Sequence, residues 1–242
     1  MFAWYELRTL DPAAARAFYA EALGLRFREQ EGRTLLELDG RVVGEITVLP
    51  EAARARGAPS HWLGHIAVAD VERAMAAMGA TPLGPERRID GHRVIGARDP
   101  SGVPIALTDR PMTSPLACHE LHGAPPSPLA PYAAVLELEI TGSLSLDLGE
   151  YVLWQHRGFS GGAIASAHRP GVHPHWEHYF AVSDLDVART SVGGLGGEPL
   201  PVQQMPDGAR LALAHDPWGA SFGLRELAQD RGARADGSEV TR

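Results

Sequence analysis

Around residue 177 the chain reads His175-Trp176-Glu177-His178-Tyr179-Phe180-Ala181-Val182. In an extended segment alternate side chains share a face, so Glu177 and Tyr179 point the same way. A carboxylate and a phenol turned into one small cavity can exchange protons with a bound molecule, provided burial tunes the carboxylate. The opening segment holds a similar pairing, because Trp4 and Glu6 also share a face. Glu6 is a third candidate acid or base. The Trp4 ring either stacks on a flat ligand or fills the space where one would sit. His173, His175 and His178 crowd one stretch, but Pro174 interrupts it, and in a strand His178 takes the face opposite the other two. A zinc site from these three alone is not expected. Cys118 is the one cysteine, so no internal disulfide forms and no nucleophilic role is assigned to it. Gly193-Gly194-Leu195-Gly196-Gly197 follows a helix rather than opening one, so a phosphate loop is not supported.

These residues lie in an internal repeat. His61-Trp62-Leu63-Gly64-His65-Ile66-Ala67-Val68-Ala69-Asp70 matches His175 to Asp184 at an offset of 114, and Asp99-Pro100-Ser101-Gly102 returns as Asp216-Pro217-Trp218-Gly219 at an offset of 117. Tyr5-Glu6-Leu7 aligns with Leu136-Glu137-Leu138 at 131, and Gly44 with Gly162 at 118, so the second copy is expected to lack 13 residues. This alignment makes Glu137 the counterpart of Glu6.

The elements that carry the candidates are legible. Asp11 caps a helix over residues 12–24, with Pro12 in its first turn and Gly24 at its end. Thr141-Gly142-Ser143-Leu144-Ser145 is too short to hold its equivalent. Asp70 caps a helix from Val71 to Met78, and Asp184 caps one from Leu185 to Val192. Strands are expected over Phe2–Thr9, Thr34–Leu38, Val42–Leu49, Leu63–Val68, Arg93–Ala97 and Pro104–Thr108, with Asp39-Gly40 a hairpin turn. The fold class is α+β: tandem βαβββ modules forming cupped mixed sheets, the second degenerate. Domain 1 spans 1–110, a Pro-rich linker 111–130, domain 2 131–227, and a polar, disordered tail 228–242.

The length of 242 residues suits two such domains. Net charge is −8, and all 22 basic residues are Arg without a basic run, which argues against a nucleic-acid partner. No apolar run approaches the roughly 18 residues of a membrane span. The chain opens without a secretory pattern, and a cytoplasmic protein is expected.

Asp11 through Gly24, with Phe18-Tyr19 and Leu23-Gly24, resembles the opening of the vicinal oxygen chelate superfamily, the glyoxalase, bleomycin-resistance and dioxygenase group. Gly64-His65-Ile66-Ala67-Val68 and Asp99-Pro100-Ser101-Gly102-Val103-Pro104-Ile105 resemble its later motifs, and the layout is similar to a tandem two-domain subgroup. The resemblance implies four metal-ligand positions per module. In the first copy they fall on Trp4, Glu45, His65 and Ala106, and in the second on Val135, Ala163, Tyr179 and Gly223. A four-ligand site is therefore intact in neither copy. Glu6, shifted two residues along its strand, could join Glu45 and His65 around a divalent metal, the one cofactor this reading leaves open.

The functional expectation is an enzyme acting on a small organic molecule by isomerase, lyase or cyclase chemistry, with Glu6, Glu177 and Tyr179 catalytic and Trp4, Glu137, Trp62 and Arg98 contacting substrate. The alternatives are a metal-free binding or resistance protein and a divalent-metal enzyme using Glu6, Glu45 and His65. In each case the fused copies form an intramolecular pseudo-dimer, with a homodimer as the other possibility.

Overall fold

The computed structural model describes residues 1–112, 116–123, 128–133, 135–146, 149–165, 173–205 and 208–226. The expected tail over 228–242 lies outside the described residues.

The first module runs β1 (Phe2–Thr9), α1 (Pro12–Leu23), β2 (Arg26–Gln30), β3 (Arg33–Leu38), β4 (Arg41–Val48), α2 (Glu51–Arg54), β5 (His61–Ala67), α3 (Val71–Met78), β6 (Thr81–Pro82), β7 (Arg87–Ile89), β8 (His92–Arg98) and β9 (Pro104–Thr108). The second runs β10 (Cys118–Gly123), α4 (Ala130–Ala133), β11 (Glu139–Leu146), β12 (Gly149–His156), β13 (Phe159–Ala165), β14 (His175–Val182), α5 (Leu185–Gly194), β15 (Glu198–Pro199), β16 (Gln203–Gln204), β17 (Arg210–His215) and β18 (Ser221–Glu226). Each module forms a nine-stranded mixed sheet. The first follows the order β2-β3-β4-β1-β5-β9-β8-β6 with β7 beside β8, and the second repeats it as β11-β12-β13-β10-β14-β18-β17-β15 with β16 beside β17. The α+β architecture of two cupped mixed sheets is as expected.

The helix signals act as read. Asp11 accepts from the Ala14 N–H, Asp70 from Arg73 and Asp184 from Val187, while Gly24 closes α1 in the left-handed region at φ 67°.

Three expectations fail at the start of the second module. Residues 111–130 are not simply a linker, because Cys118–Gly123 is the central strand β10, parallel to β13 and antiparallel to β14. Glu137 is not the counterpart of Glu6. Glu6 pairs with Glu45 and Leu63, and Glu120 pairs with Gly162 and Glu177, so Glu120 occupies that position at the constant offset of 114. Gly44 opposes Tyr5 as Gly161 opposes His119, so its counterpart is Gly161, and the intervening stretch is three residues longer in the second copy, not 13 shorter. The four-residue α4 stands where the first module has α1. Glu137 itself is exposed, 3.6 Å from Arg157.

The modules pack through the faces opposite their cups. Phe2 and Tyr5 of β1 meet His119, Trp176 and His178; the Phe2 ring lies 5.4 Å from Trp176 and 5.0 Å from His178. This approach requires Gly64, where a Cβ would come within 2.6 Å of the Phe2 ring and 2.7 Å of His178. The packing is reciprocal: α1 lies against α5, and α4 against α3. Trp62 belongs to this seam, 7% exposed, its indole N–H donating to the Tyr19 hydroxyl at 2.9 Å. It faces away from the first cup, because β5 turns Leu63 and His65 inward and Trp62 outward.

Candidate functional site

The first cup is lined from β1 by Trp4, Glu6 and Arg8, from β4 by Glu45 and Thr47, and from β5 by His65. Trp4 opposes His65 in the sheet, and His65 opposes Ala106. Glu6 is buried and fully engaged. It receives hydrogen bonds from Thr47 at 3.0 Å, Arg8 at 2.9 Å and His65 Nε2 at 3.2 Å, with Arg87 3.6 Å away. Burial alone would raise its pKa, but the bonds from His65 and Arg8 and the Arg8 charge outweigh burial and hold it well below the usual carboxylate range. Burial lowers the pKa of His65 against the opposing pull of Glu6, so its neutral ring donates to a charged carboxylate. Glu45 is held by Arg33 at 2.8 Å. The Trp4 ring is 1% exposed, with the Arg110 guanidinium 4.2 Å and the Arg33 guanidinium 5.9 Å from its centre. Glu6, Glu45 and His65 thus share one face as expected, but both carboxylates already carry arginine partners. Arg98 is exposed at the end of β8 and donates to the Gly102 carbonyl at 2.7 Å.

The second cup carries a different set. Glu177 and Tyr179 share a face of β14, as the alternation required, and β10 brings Glu120 and His122 directly beside them. Register places Cys118 opposite Tyr179, Glu120 opposite Glu177 and His122 opposite His175. The result is two adjacent rungs, one of carboxylates and one of imidazoles. The His122 and His175 rings stack with centres 4.8 Å apart and planes 3° from parallel. His122 Nε2 lies 3.3 Å from Glu120 Oε2, and His175 Nε2 lies 3.3 Å from Glu177 Oε2. Tyr179 donates to Glu120 at 2.5 Å, and Ser221 donates to Glu177 at 2.5 Å. The Nδ1–H of His175 is spent on the His173 carbonyl at 2.7 Å, which fixes the ring and leaves Nε2 toward the carboxylate.

Register also corrects two metal positions in this copy. They fall on Cys118 and Gly162, with Tyr179 and Gly223 as expected; Val135 and Ala163 lie elsewhere. Gly162 and Gly223 have a packing reason. A Cβ at Gly162 would collide with the Tyr151 hydroxyl, and one at Gly223 with the Tyr179 ring. Two tyrosines thus occupy the space that the glycines vacate.

Electrostatics divides the cluster into roles. Burial is the largest influence on His175 and favours the neutral ring, yet the hydrogen bond and charge of Glu177 prevail and raise its pKa. Glu177 is lowered despite burial, first by His175 and then by Ser221. Glu120 is likewise lowered against burial, by His122 and the two tyrosine hydroxyls. Tyr179 is pushed far above its ordinary value by burial and by the neighbouring Glu120 and Glu177 charges, so it stays protonated as a donor. The carboxylates are nearly sealed, Glu177 at 1% and Glu120 at 8% exposure, while the His175 side chain is 34% exposed at the rim. Glu120, His122, His175, Tyr151 and Ser221 were absent from the residues expected at this site. Reading the offset of 114 back from His175 to His61 as far as Glu120 and Glu6 would have found the first of them.

Residues 2–107 match the family described as Glyoxalase/Bleomycin resistance protein/Dioxygenase superfamily. Over 243 aligned residues the chain is 28% identical to "Putative glyoxylase CFP32" of Mycobacterium tuberculosis, covering 91% of this chain and 92% of the relative. Among solved structures it resembles a variant of homoprotocatechuate 2,3-dioxygenase from B. fuscum (TM-score 0.66, 17% identity, 93% of this chain and 71% of that one). It also resembles the Mn(II)-bound glyoxalase from Novosphingobium aromaticivorans (TM-score 0.61, 14% identity, 93% and 81%). At these identities the likeness is one of fold.

Proposed function

We propose, for a chain whose first module belongs to the Glyoxalase/Bleomycin resistance protein/Dioxygenase superfamily, an enzyme that moves protons on a small organic carbonyl compound in the second cup without a metal. The observation that carries this reading is the pair of stacked imidazoles, each backed by its own buried carboxylate. His175, whose pKa Glu177 raises and whose side chain is reachable from the rim, keeps its Nδ1–H on the His173 carbonyl and passes the Nε2 proton it shares with Glu177 to a substrate oxygen where negative charge develops. Glu177 and Ser221 position it. Glu120, kept ionised, accepts a proton from the adjacent carbon, and Tyr179, whose hydroxyl donates to it, holds it in place. A proton removed beside a carbonyl and one returned elsewhere is isomerisation; loss of a leaving group in the same step is a lyase reaction. Such a pair of opposed titrating groups is the arrangement that acid–base catalysis needs.

The superfamily's metal does not suit the residues at hand. In the first cup Trp4 and Ala106 offer no metal-binding donor atoms, Arg33 occupies Glu45, and two guanidiniums lie over the Trp4 ring where a cation would be repelled. Among the described residues no group of three or more His, Cys, Asp or Glu is arranged to hold a metal ion. The fused modules, with α1 packed on α5 and α4 on α3 across the seam, support the reading of an intramolecular pseudo-dimer.

The test uses glyoxal-type dicarbonyl compounds, suggested by the name of the mycobacterial relative, on protein dialysed against chelator. Turnover should persist. His175→Asn and Glu177→Gln should each lower it by roughly 10²–10⁴-fold with binding retained. Binding without turnover in the unaltered protein selects the sequestering alternative. Turnover lost to chelation and restored by a divalent metal selects the enzyme built on Glu6, Glu45 and His65.

A further inference from the structure

Among the described residues, the first cup contains buried hydrogen-bonding atoms without a partner, and all of them are donors. Trp4 Nε1, Arg33 Nη2 and Arg8 Nε are each buried without a partner among the described residues. The carboxylates beside them are already engaged: Glu6 by Thr47, Arg8 and His65, Glu45 by Arg33, and Asp90 by Arg33 and Arg110. A buried donor left unmatched loses its water without regaining a partner, so three in one cup call for an acceptor.

Charge points the same way. Arg8, Arg33, Arg87 and Arg110 face Glu6, Glu45 and Asp90, so one positive charge is left over. One positive charge matches a monoanion, whereas a phosphate dianion would be pressed against two fixed carboxylates. Beside Trp4, across the His65–Ala106 rung, lies a separate apolar cluster of Leu63, Val94 and Ala106 with Ile89, which favours an organic molecule over an inorganic ion. The cover over the ring consists of two long side chains, Arg33 and Arg110, 32% and 13% exposed, which can swing without moving a strand.

We infer that the first cup is a binding site for a small organic carboxylate with an apolar tail, its oxygens accepting from the Trp4 indole and the Arg33 guanidinium. The site is separate from the second cup and does not depend on the chemistry proposed there.

Full-length protein with ¹⁵N-labelled tryptophan is titrated with benzoate, with neutral benzamide and with inorganic phosphate, and the five indole N–H signals are followed. The Trp4 signal is identified by its absence in Trp4→Phe. Benzoate should shift it saturably, benzamide and phosphate should not, and the remaining four should stay in place. Trp4→Phe, which keeps an aromatic ring, though a smaller one, and removes the donor, and Arg33→Lys should each weaken benzoate binding by roughly tenfold or more as read by calorimetry. Retained circular dichroism shows that the variants fold. His175→Asn should bind benzoate normally, which separates this site from the second cup. An immobile Trp4 signal, an equal response to benzamide, or unchanged affinity in both variants overturns the proposal. An equal response to phosphate reduces the site to a general anion hole and overturns the carboxylate assignment.

Discussion

The hydroxyl of Tyr19, on the helix of the first module, donates to Asp216 Oδ2 of the second module at 3.2 Å, and Tyr132 of the second module donates to Asp99 Oδ2 of the first at 3.0 Å. The two aspartates open the repeated Asp-Pro-x-Gly turns. Asp99 Oδ1 accepts the Val103 N–H, and Asp216 Oδ1 accepts those of Trp218 and Ala220. One side chain therefore both closes its own turn and docks the other module. Burial raises the pKa of both aspartates.

These two bonds should not be equal in stability. Tyr19→Phe leaves both Asp216 and the Trp62 indole, which donates to the Tyr19 hydroxyl at 2.9 Å, without the tyrosine oxygen, whereas Tyr132→Phe releases Asp99 and only a weaker approach of the Trp176 indole. Urea denaturation should show a loss of about 1–2 kcal/mol for Tyr132→Phe and a larger one for Tyr19→Phe. The pair of variants should be nearly additive, since the sites share no partner. Equal losses would show that the Trp62 bond contributes nothing.

Acid should loosen the seam before it reaches the carboxylates. His119 Nδ1 and His178 Nδ1 lie 3.1 Å apart and fully buried, with the Tyr5 hydroxyl 3.2 Å from His119 Nε2. Burial lowers both; His178 falls from 6.5 to about 4, and the positive charge of His175 assists. A histidine lowered in the folded state contributes stability that is complete above pH 6.5. For His178 that contribution is lost as the pH falls from 6.5 to about 4, at up to about 1.4 kcal/mol per pH unit. His175, whose pKa is raised, acts in the opposite sense. Denaturation midpoints measured at pH 7.5 and pH 5 should fall with acid, and the fall should be shallower in His178→Gln. A flat profile in the unaltered protein would contradict the neutral pair.

The raised pKa of His175 should depend chiefly on Glu177. Followed by ring ¹⁵N shifts, it should titrate above 6.5 in the unaltered protein. In Glu177→Gln the two largest raising influences are gone and only the His173 carbonyl and the Glu120 charge oppose burial, so the midpoint should fall clearly. A midpoint indifferent to Glu177 would remove the proposed proton donor.

Gly223→Ala should disable the second cup without touching a polar group. The new Cβ strikes the Tyr179 ring, forcing it off Glu120 at a cost of about 1–3 kcal/mol. Gly142→Ala, where the nearest atom would be 3.9 Å away, is the matched control and should leave stability and any turnover nearly unchanged.

Local chemistry made much of this protein legible from its residues alone. Asp11, Pro12 and Gly24 bound a helix because capping and left-handed termination act within a few residues, and α1 runs Pro12–Leu23. The face shared by Glu177 and Tyr179 follows from a period of two. The repeat itself is visible because the motif at His61 and the motif at His175 preserve their spacing.

The partners of those residues were decided only by the tertiary structure. Cys118–Gly123 sits between two proline-rich stretches, and nothing within it announces a central strand; it becomes one by hydrogen bonding to β13 and β14, roughly forty to sixty residues further on. That pairing makes Glu120 rather than Glu137 the counterpart of Glu6, and it stacks His122 on His175. The Asp-Pro-x-Gly turns could be read locally, but not the tyrosine each receives from the other module. Sequence spacing determines which way a side chain faces along its own strand. Which strand lies beside it, and so which acid meets which base, is fixed by long-range sheet register and by the packing of one module on the other.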